Sequence, residues 1–410
     1  MKKIIFTLAF STLVIFGFAQ KTTINSVADG PWLSPTTWDC NCVPTPGANF
    51  NISHHVILNT NWAYSSGSVT INTGGSLKKN NFIRTWAQNG GALVNDGTFE
   101  VDRLAINAGT VTNSDSFIVN QAYYIGTTAT LSNIGLIDQV DSLQNNGTIN
   151  NDADGYIEAT NLWNNNTLNN SGTLHLTNLL NSLSFTNDNE LFTDNFLNTG
   201  TCNNNKDAGA SVDFMNTGKF TNSANGIFFI DHDFLNGDSL LHDALFINEG
   251  QVKIWNDFTN LDTIRGTTGF FCIGSYSANA GYIKGTVDIC DLTPLAGPPY
   301  IDINTGIIEA GVTSCTHLCT AGIAENETII SNVKIYPNPF SDQVTFEFNL
   351  NSPTANVSKL TITDMLGQQV FSCVFKGSNI TVENNNFKSG VYFYTIENGS
   401  ALLNGKLISE

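Results

Sequence analysis

Residues 143–149 read LQNNGTI, and residues 168–174 repeat the phrase as LNNSGTL. In both, an apolar residue comes before Asn-x-Gly and a β-forming residue comes after it. Further copies are VNDGTF at 94–99, FLNTGT at 196–201, FMNTGKF at 214–220 and FINEGQV at 246–252. Many of the irregular spacings between copies fall near one or two times ~18–20 residues, which is the length of one turn of a β-solenoid.

Short strands of this kind need a stacked partner. Each has one apolar face, and stacking of successive turns at ~4.8 Å would bury a continuous apolar column. We expect Gly, and after it Asn, at the corners because these residues tolerate positive φ angles. Asparagines repeated at one corner can also form a ladder of side-chain hydrogen bonds. The pattern therefore predicts an all-β chain with a parallel β-solenoid, or β-helix, over residues 65–290.

Three other interpretations compete with the solenoid. Asn-Gly is a common hairpin signal, so an antiparallel sandwich is the main alternative fold. A β-propeller would need blades of about 40–45 residues with their own signature. Disorder is disfavoured because the asparagines, 55 in 410 residues, are interleaved with Leu, Ile and Phe.

Residues 20–64 are expected to form the N-terminal cap of the solenoid. Trp32 and Trp38 lie in a turn rich in Pro and Thr, and Cys40, Cys42 and a strand-like segment follow. This order resembles the opening of other secreted parallel β-helix proteins. We interpret the two indoles as a cover for the open apolar end, and the alternative is a pair of platforms for sugar stacking. Residues 291–330, rich in Pro, Gly and Thr, are expected to be an irregular terminal segment and linker.

Residues 331–410 predict a small all-β domain in which apolar and polar residues alternate between Pro, Asn-Pro and Gly. Its motifs are VKIYPNPF at 333–340, LTITDMLGQ at 360–368, SGVYFY at 389–394 and GKLI at 405–408. In content and order they resemble the type A C-terminal sorting domain of type IX secretion cargo. The residues that carry the resemblance are Tyr336, Pro337, Asn338, Pro339, Gly367, Gly390, Tyr392 and Lys406.

The resemblance implies an immunoglobulin-like sandwich that directs export to the outer-membrane cell surface or the extracellular space. It also implies three partners, namely the type IX secretion machinery, a sortase that removes the domain, and the anionic surface lipopolysaccharide. The N-terminus agrees with export. Lys2 and Lys3 precede an apolar stretch and small residues, so residues 1–19 are predicted to be a secretory signal that is cut after Ala19.

The charge of the chain limits its partners. A formal net charge of −18 disfavours nucleic acid and anionic headgroups, which bind basic patches. The chain has no second long apolar run, so we do not expect an integral membrane protein. Asp231 and Asp233 would share one face of a strand and are candidates for a structural Ca²⁺ site. The simpler interpretation of this pair is an exposed edge.

Eight cysteines fit an oxidising compartment. We expect a disulfide between Cys272 and Cys290 and a second one between Cys315 and Cys319, although sequence does not fix connectivity. Cys202 and Cys373 are isolated in the sequence, so we expect them to be buried as small apolar residues.

The best catalytic-looking cluster is Arg84 and Arg103, which lie 19 residues apart beside Glu100 and Asp102. Solvated charges on one outer face are the simpler interpretation. Separately, Ser142, Ser239 and Thr263 lie in Asp-Ser/Thr-apolar triplets. These resemble sites that are O-glycosylated in bacteria with type IX secretion.

Taken together, the sequence favours a secreted structural or adhesin-like protein and assigns no catalytic residue and no resident cofactor. A carbohydrate-active β-helix enzyme, either a polysaccharide lyase or a glycosidase, is the first alternative. A glycan-binding module that uses exposed aromatic residues such as Trp163 or Trp255 is the second. A glycan or another cell-surface partner is therefore expected.

Overall fold

The structure is a computed structural model in which residues 23–238, 243–293, 301–317, 319, 330–350, 357–365, 367–384, 387–398 and 401–409 are described. Nearly all of these residues lie in strands, turns and bends, and a single 3₁₀ turn spans Pro35–Thr37. The predicted signal with its cut after Ala19, and Ser239, lie outside the described residues. The all-β prediction is confirmed.

The first thirty-four strands form one parallel sheet that winds around a central core. They are β1 Thr23–Asn25, β2 Gly30–Pro31, β3 Asn49–Ile52, β4 His55–Leu58, β5 Trp62–Tyr64, β6 Ser68–Ile71, β7 Ser76–Lys79, β8 Thr85–Asn95, β9 Thr98–Asn113, β10 Ser116–Asn133, β11 Leu136–Asn145, β12 Thr148–Asn151, β13 Tyr156–Asn164, β14 Thr167–Asn170, β15 Thr173–Asn181, β16 Ser184–Asn187, β17 Glu190–Asn198, β18 Thr201–Asn204, β19 Asp207–Ala210, β20 Phe214–Asn216, β21 Lys219–Asn222, β22 Ile227–Ile230, β23 Phe234–Asn236, β24 Leu245–Asn248, β25 Gln251–Ile254, β26 Phe258–Asn260, β27 Thr263–Gly266, β28 Phe270–Ile273, β29 Ser277–Asn279, β30 Tyr282–Gly285, β31 Asp288–Asp291, β32 Ile303–Asn304, β33 Ile307–Ile308 and β34 Thr313–Ser314.

Each turn of the solenoid has three faces. Face 1 contains β19, β22, β25, β28, β31 and β34, face 2 contains β20, β23, β26, β29 and β32, and face 3 contains β18, β21, β24, β27, β30 and β33. Nearer the N-terminus, long strands such as β13, β15 and β17 bend at a corner and supply faces 1 and 2 together. The parallel register confirms the solenoid and excludes the antiparallel sandwich.

Parallel pairing extends beyond the expected bounds of 65 and 290. It begins with β1 on β3 and β2 on β4, and it ends with β33 on β30 and β34 on β31. The segment expected to be a cap therefore contributes turns of its own, and the segment expected to be irregular contributes the last one. A copy of the repeat phrase, INTG at 303–306, lies in that last turn.

Apolar side chains fill the interior in columns. One column on face 3 is fully buried and consists of Leu93, Val111, Leu131, Ile149, Leu168, Phe185, Cys202, Phe220, Phe246, Ile264 and Ile283. Burying one such Leu or Phe side chain contributes roughly 1.5–3 kcal/mol. Cys202 has the predicted role of a buried small apolar residue, since it lies between Phe185 and Phe220.

Two ladders of asparagine side chains, buried except for Asn304, run along the corners. In each ladder a side-chain amide nitrogen donates to the amide oxygen on the next turn at 2.7–2.9 Å. The first ladder contains Asn95, Asn113, Asn133, Asn151, Asn170, Asn187, Asn204, Asn222 and Asn248. The second contains Asn145, Asn164, Asn181, Asn198, Asn216, Asn236, Asn260, Asn279 and Asn304. The predicted ladder is thus confirmed, and it occurs twice.

The expectation that the corner asparagines adopt positive φ angles was wrong. Among the described residues, Asn41 and Cys315 are the non-glycine residues with positive φ, and neither belongs to a ladder. The ladder asparagines end their strands in extended backbone and point inward. The repeat glycine is required by close stacking instead, because a Cβ at Gly172 would collide with the carbonyl oxygens of Gly155 and Asp152.

The N-terminal end holds both predicted tryptophans in the core. Trp32 and Trp38 are 0% and 2% exposed, and their ring centroids lie 5.1 Å apart in a T-shaped contact. The indole nitrogen of Trp38 donates to the carbonyl oxygen of Trp32 at 2.8 Å. Neither ring presents a face to solvent, which argues against the sugar-stacking alternative for this pair. A disulfide joins Cys40 to Cys42 beside them.

The C-terminal end is closed by disulfides whose pairing differs from the prediction. The bonds are Cys272–Cys319 and Cys290–Cys315, so the expected pairs Cys272–Cys290 and Cys315–Cys319 are wrong. Cys272 and Cys290 are register partners on β28 and β31. Their side chains point the same way, whereas a disulfide needs Cβ atoms that converge. Each thiol instead bonds to the segment that follows the last turn.

Seven further strands form the C-terminal domain. They are β35 Ile330–Tyr336, β36 Gln343–Leu350, β37 Val357–Thr363, β38 Gln369–Lys376, β39 Asn379–Glu383, β40 Gly390–Asn398 and β41 Ala401–Ser409. Antiparallel sheets β35-β36-β39 and β38-β37-β40-β41 enclose a separate core that includes Val344, Phe346, Leu360 and Ile396. The predicted small β-sandwich is confirmed.

Candidate functional site

A groove of about 550 Å³ lies along face 1 of the solenoid. Strands β13, β15, β17, β19 and β22 form its floor. Because inward and outward side chains alternate along a strand, every second residue of these strands faces the groove. The strands are paired in register, so the outward residues form straight columns.

The central column combines aromatic side chains with a gap. In order of turns it contains His175, Phe192, Gly209, Phe229 and Lys253. His175 meets Phe192 edge-on with ring centroids 6.5 Å apart, and the amino group of Lys253 lies 5.3 Å from the centre of the Phe229 ring. Two spacings of about 4.8 Å separate the turns of Phe192 and Phe229. Gly209 leaves a notch between the two half-buried rings.

Carboxylates line both sides of this column. Glu190 and Asp207 are neighbours in register on one side, and Asp194 and Asp231 follow face 1 on the other. Burial raises the pKa of Glu190, and burial also raises the pKa of Asp231. Thr173 donates to the Glu190 carboxylate at 3.1 Å. The groove is therefore rich in hydrogen-bond acceptors and carries excess negative charge.

Two side chains of the C-terminal domain also line the groove, namely Lys359 and Glu397. The Lys359 ammonium lies 2.6 Å from the carboxylate of Glu158 on β13. A second hollow of mostly polar lining continues from the groove past His175, Asp194 and Lys359. The lining is thus extended along the solenoid axis, as a binding surface for a linear chain would be.

The corner between faces 1 and 2 holds a second cluster. His232 Nδ1 lies 3.0 Å from Asp213 Oδ1 and 3.4 Å from Asp233 Oδ2. The hydrogen bond to Asp213 and the charge of Asp233 raise the pKa of His232. One ligand atom from each residue lies within 4.8 Å of the others, so this group has the donors and spacing to hold a divalent cation.

The predicted Ca²⁺ pair is not brought together. Asp231 lines the groove, whereas Asp233 turns to the corner cluster with Asp213 and His232. Sequence reasoning missed Asp213 because it lies on the preceding turn, 19 residues before His232. A calcium role for Asp231 and Asp233 stays a prediction.

The arginine cluster has ordinary structural partners. The Arg84 guanidinium donates to the Asn80 side chain at 2.8 Å, and the Arg103 guanidinium donates to Gln121 at 3.0 Å. Asp102 forms its ion pair with Lys79 at 2.9 Å. Arg84 and Arg103 lie on neighbouring turns, as predicted, but their guanidinium groups point to different amides.

Aromatic and modification candidates lie at several places on the solenoid. Trp163 on face 2 and Trp255 at the corner beyond Asp231 are 37% and 47% exposed, so both rings are accessible. Ser142 lies on β11 and Thr263 on β27, both partly exposed. Their O-glycosylation stays a prediction.

The residues of the C-terminal motifs lie close together. The Asn338 side chain accepts from the Ile408 backbone at 2.9 Å and donates to the Lys406 carbonyl at 3.3 Å. The Tyr336-Pro337 and Asn338-Pro339 peptides are both cis. Gly367 has a φ of +82°, which suits the tight turn between β37 and β38.

Two further motif residues mark the start of β40. Gly390 is the first residue of this strand, and the Tyr392 hydroxyl donates to the Lys388 carbonyl at 2.8 Å. Gly390, Tyr392 and Lys406 therefore lie along the pair of β40 and β41, and Asn338 contacts the same last strand. A role of the individual residues in sorting stays a prediction.

Sequence reasoning did not single out Phe192, Gly209 or Phe229. Turn lengths vary, as the ladder steps show: Asn187 follows Asn170 by 17 residues and Asn248 follows Asn222 by 26. The register that aligns the three groove residues is therefore not readable from spacing alone. A glycine in the middle of the strand segment DAGA was the available signal.

Among the described residues, no helix is long and apolar enough to cross a bilayer.

Comparison with known proteins identifies the C-terminal domain. Residues 334–410 match the family described as "Secretion system C-terminal sorting domain". A 71-residue stretch is 37% identical to an endo-acting ulvan lyase of Formosa agariphila, which covers 17% of this chain and 13% of the lyase.

A solved structure is also similar in part. The cell-surface chitinase ChiW of Paenibacillus sp. FPU-7 aligns over 84% of this chain and 24% of its own, with 14% identity and a TM-score of 0.15. The chain thus spans a small part of both relatives. The family match and the two antiparallel sheets together show that residues 334–410 are a type IX secretion sorting domain, which sends this β-solenoid protein to the cell surface or the extracellular space.

Proposed function

We propose that the protein is a structural or adhesin-like β-solenoid that works on the outer surface of the cell without catalytic turnover. The pair of buried asparagine ladders is the observation that carries this proposal. Because every ladder step fixes the register of two turns, the solenoid is a stiff body that holds its outer faces in place. The sorting domain supplies the route to the surface.

The partners that we propose follow from the export route and from the negative charge of the protein. The secretion machinery binds the sorting domain during export. We expect a sortase to remove that domain and the anionic lipopolysaccharide to retain the solenoid. A glycan or another surface component is then the target of adhesion. The net charge of −18 favours targets that are not themselves strongly anionic.

A carbohydrate-active enzyme is the second candidate. Glycoside hydrolysis uses two carboxyl groups with different protonation, and Glu190, whose pKa is raised by burial, lies beside Asp207 in the groove. The similarity to an ulvan lyase points in the same direction, but it covers 17% of this chain. Ulvan is a polyanion, which the carboxylates of the groove would repel.

Surface display and adhesion can be tested in the native cell. We expect antibodies against the solenoid to label intact cells, and we expect a deletion strain to adhere less to polysaccharide-coated surfaces. Restoring the gene should restore adhesion. Labelling only after cell lysis, or unchanged adhesion together with lost growth on a polysaccharide, would contradict the proposal.

A further inference from the structure

Gly209 differs from the other described glycines of the solenoid. Each of the others either has a positive φ or leaves no room for a Cβ, because atoms of a neighbouring segment lie too close. At Gly209 the nearest atom to a built Cβ is a ring carbon of Phe192 at 3.9 Å, which is an ordinary contact. The backbone of β19 therefore has room for a Cβ at this position.

A glycine in a strand nevertheless has a cost. It loses more conformational entropy on folding than other residues, by roughly 0.5–1 kcal/mol relative to Ala, and it packs no side chain on the sheet. In strands, such a glycine often marks a place where a ligand approaches the backbone. Gly209 opens the notch between the Phe192 and Phe229 rings in the middle of the groove. The absence of a side chain there is best explained by something that occupies the notch.

We propose that this notch is the central subsite of a binding groove for an uncharged polysaccharide. The inference rests on the proposed adhesin-like function and names the ligand class of its binding face. The faces of Phe192 and Phe229 suit the apolar C–H face of a pyranose ring. Glu190, Asp207 and Asp231 supply acceptors for the hydroxyl groups around that ring.

Charge and shape select among ligands. Carboxylates outnumber cations along the groove, so a polymer that carries carboxylate or sulfate groups is repelled. The groove residues lie in one straight column with one residue per turn, which suits a linear polymer with a regular repeat. A basic peptide would complement the negative charge, but it makes no particular use of two aromatic rings that are separated by a notch. A sugar chain is therefore the occupant that the geometry favours.

Three variants of the full chain test this inference. Gly209→Val fills the notch with a good strand former, so it should abolish binding while the thermal unfolding midpoint stays equal or rises. Phe192→Ala should weaken binding about tenfold, the effect expected for one lost aromatic contact. Ala105→Val enlarges an outward side chain on face 2 and is the matched control, which should bind as the parent does.

Binding would be measured by calorimetry and affinity electrophoresis. The probes are cellohexaose, laminarin, mannan and xylan as neutral chains, ulvan and alginate as polyanions, and polylysine as a basic peptide. We expect at least one neutral chain to bind and to lose binding in Gly209→Val. Overturning results are no neutral chain bound by the parent, equal binding by Gly209→Val, or polylysine as the only probe that responds to Gly209→Val. Product release would instead contradict the non-catalytic function and leave the groove assignment in place.

Discussion

The buried asparagines act through their two-sided hydrogen bonding. Asn170 donates from one nitrogen to the Asn187 oxygen at 2.7 Å and to the Glu190 carbonyl at 2.8 Å, while its own oxygen accepts from Asn151 at 2.8 Å. A carboxylate at this position would keep the acceptors and lose both donors. Each member inside a ladder thus satisfies a neighbour on both sides, and exchange of one such member affects three turns.

We predict that Asn170→Asp lowers the free energy of unfolding by about 3–5 kcal/mol, the range for an uncompensated buried charge. The matched control is Asn169→Asp, one residue away on the solvent side, which should change stability by less than about 0.5 kcal/mol. Urea-induced unfolding measured by circular dichroism compares the two variants. Equal effects of both substitutions would show that the ladder does not hold the turns together.

We predict that the C-terminal end of the solenoid, which contains Asp288, loses stability in acid. The side chain of Asp288 is buried, and burial alone would raise its pKa. Hydrogen bonds from the Thr313 hydroxyl at 2.7 Å and from the backbone nitrogens of His317 and Thr316 outweigh burial and lower the pKa to about 2. Because the pKa is lower in the folded state, this carboxylate stabilises the fold above about pH 4. That contribution is lost as the pH falls toward 2.

We therefore expect the stability difference between the parent and Asp288→Asn to be large at pH 6 and to shrink below pH 4. Thermal unfolding at a series of pH values measures it. Asp152→Asn, at an exposed turn, is the control and should show no such dependence. A difference that grows as the pH falls would contradict the assignment.

Within single strands and turns, the glycines differ in how much space surrounds them, as Gly172 and Gly209 show. Gly172 follows β14, where the preceding turn leaves no space for a methyl group. We predict that Gly172→Ala destabilises the protein by about 1–3 kcal/mol, as overpacking does. In Gly209→Ala the same methyl group should be neutral or stabilising. The difference between the two unfolding midpoints is the measured quantity, and a loss of similar size at both positions would refute the distinction.

The last turns should carry two nested disulfides, with Cys290–Cys315 inside the loop closed by Cys272–Cys319. Non-reducing peptide mapping by mass spectrometry is expected to find one peptide pair with Cys272 and Cys319 and another with Cys290 and Cys315. Peptides that join Cys272 to Cys290 would contradict the register of β28 and β31. This pairing clamps the terminal segment over the outer side of face 1, where it shields the last parallel strands.

The elements also show where sequence analysis succeeds. The Asn-x-Gly phrase is local, so it predicts the strand, the corner and the ladder without knowledge of distant residues. The disulfides and the groove depend on which turns are neighbours. Cys272 bonds to a partner 47 residues away. The notch at Gly209 can be recognised only once Phe192 and Phe229 are known to flank it. Turns of unequal length conceal that register in the sequence.

The whole molecule consists of two domains that have separate hydrophobic cores and separate roles. The solenoid has one continuous hydrophobic core and the sorting domain has another. The sorting motifs were readable because they are short and lie in fixed order at the C-terminus. The activity of the solenoid was not readable, because a binding face on a solenoid is assembled from one residue per turn. The structure adds the groove and its charge.

In the proposed function, the solenoid holds a target on the cell surface and does not convert it. The most direct measurement incubates the full chain with neutral and anionic polysaccharides and records binding and new reducing ends or unsaturated products in the same samples. We expect binding to a neutral polysaccharide with no product above the buffer control. Product that accumulates in proportion to protein concentration would contradict it.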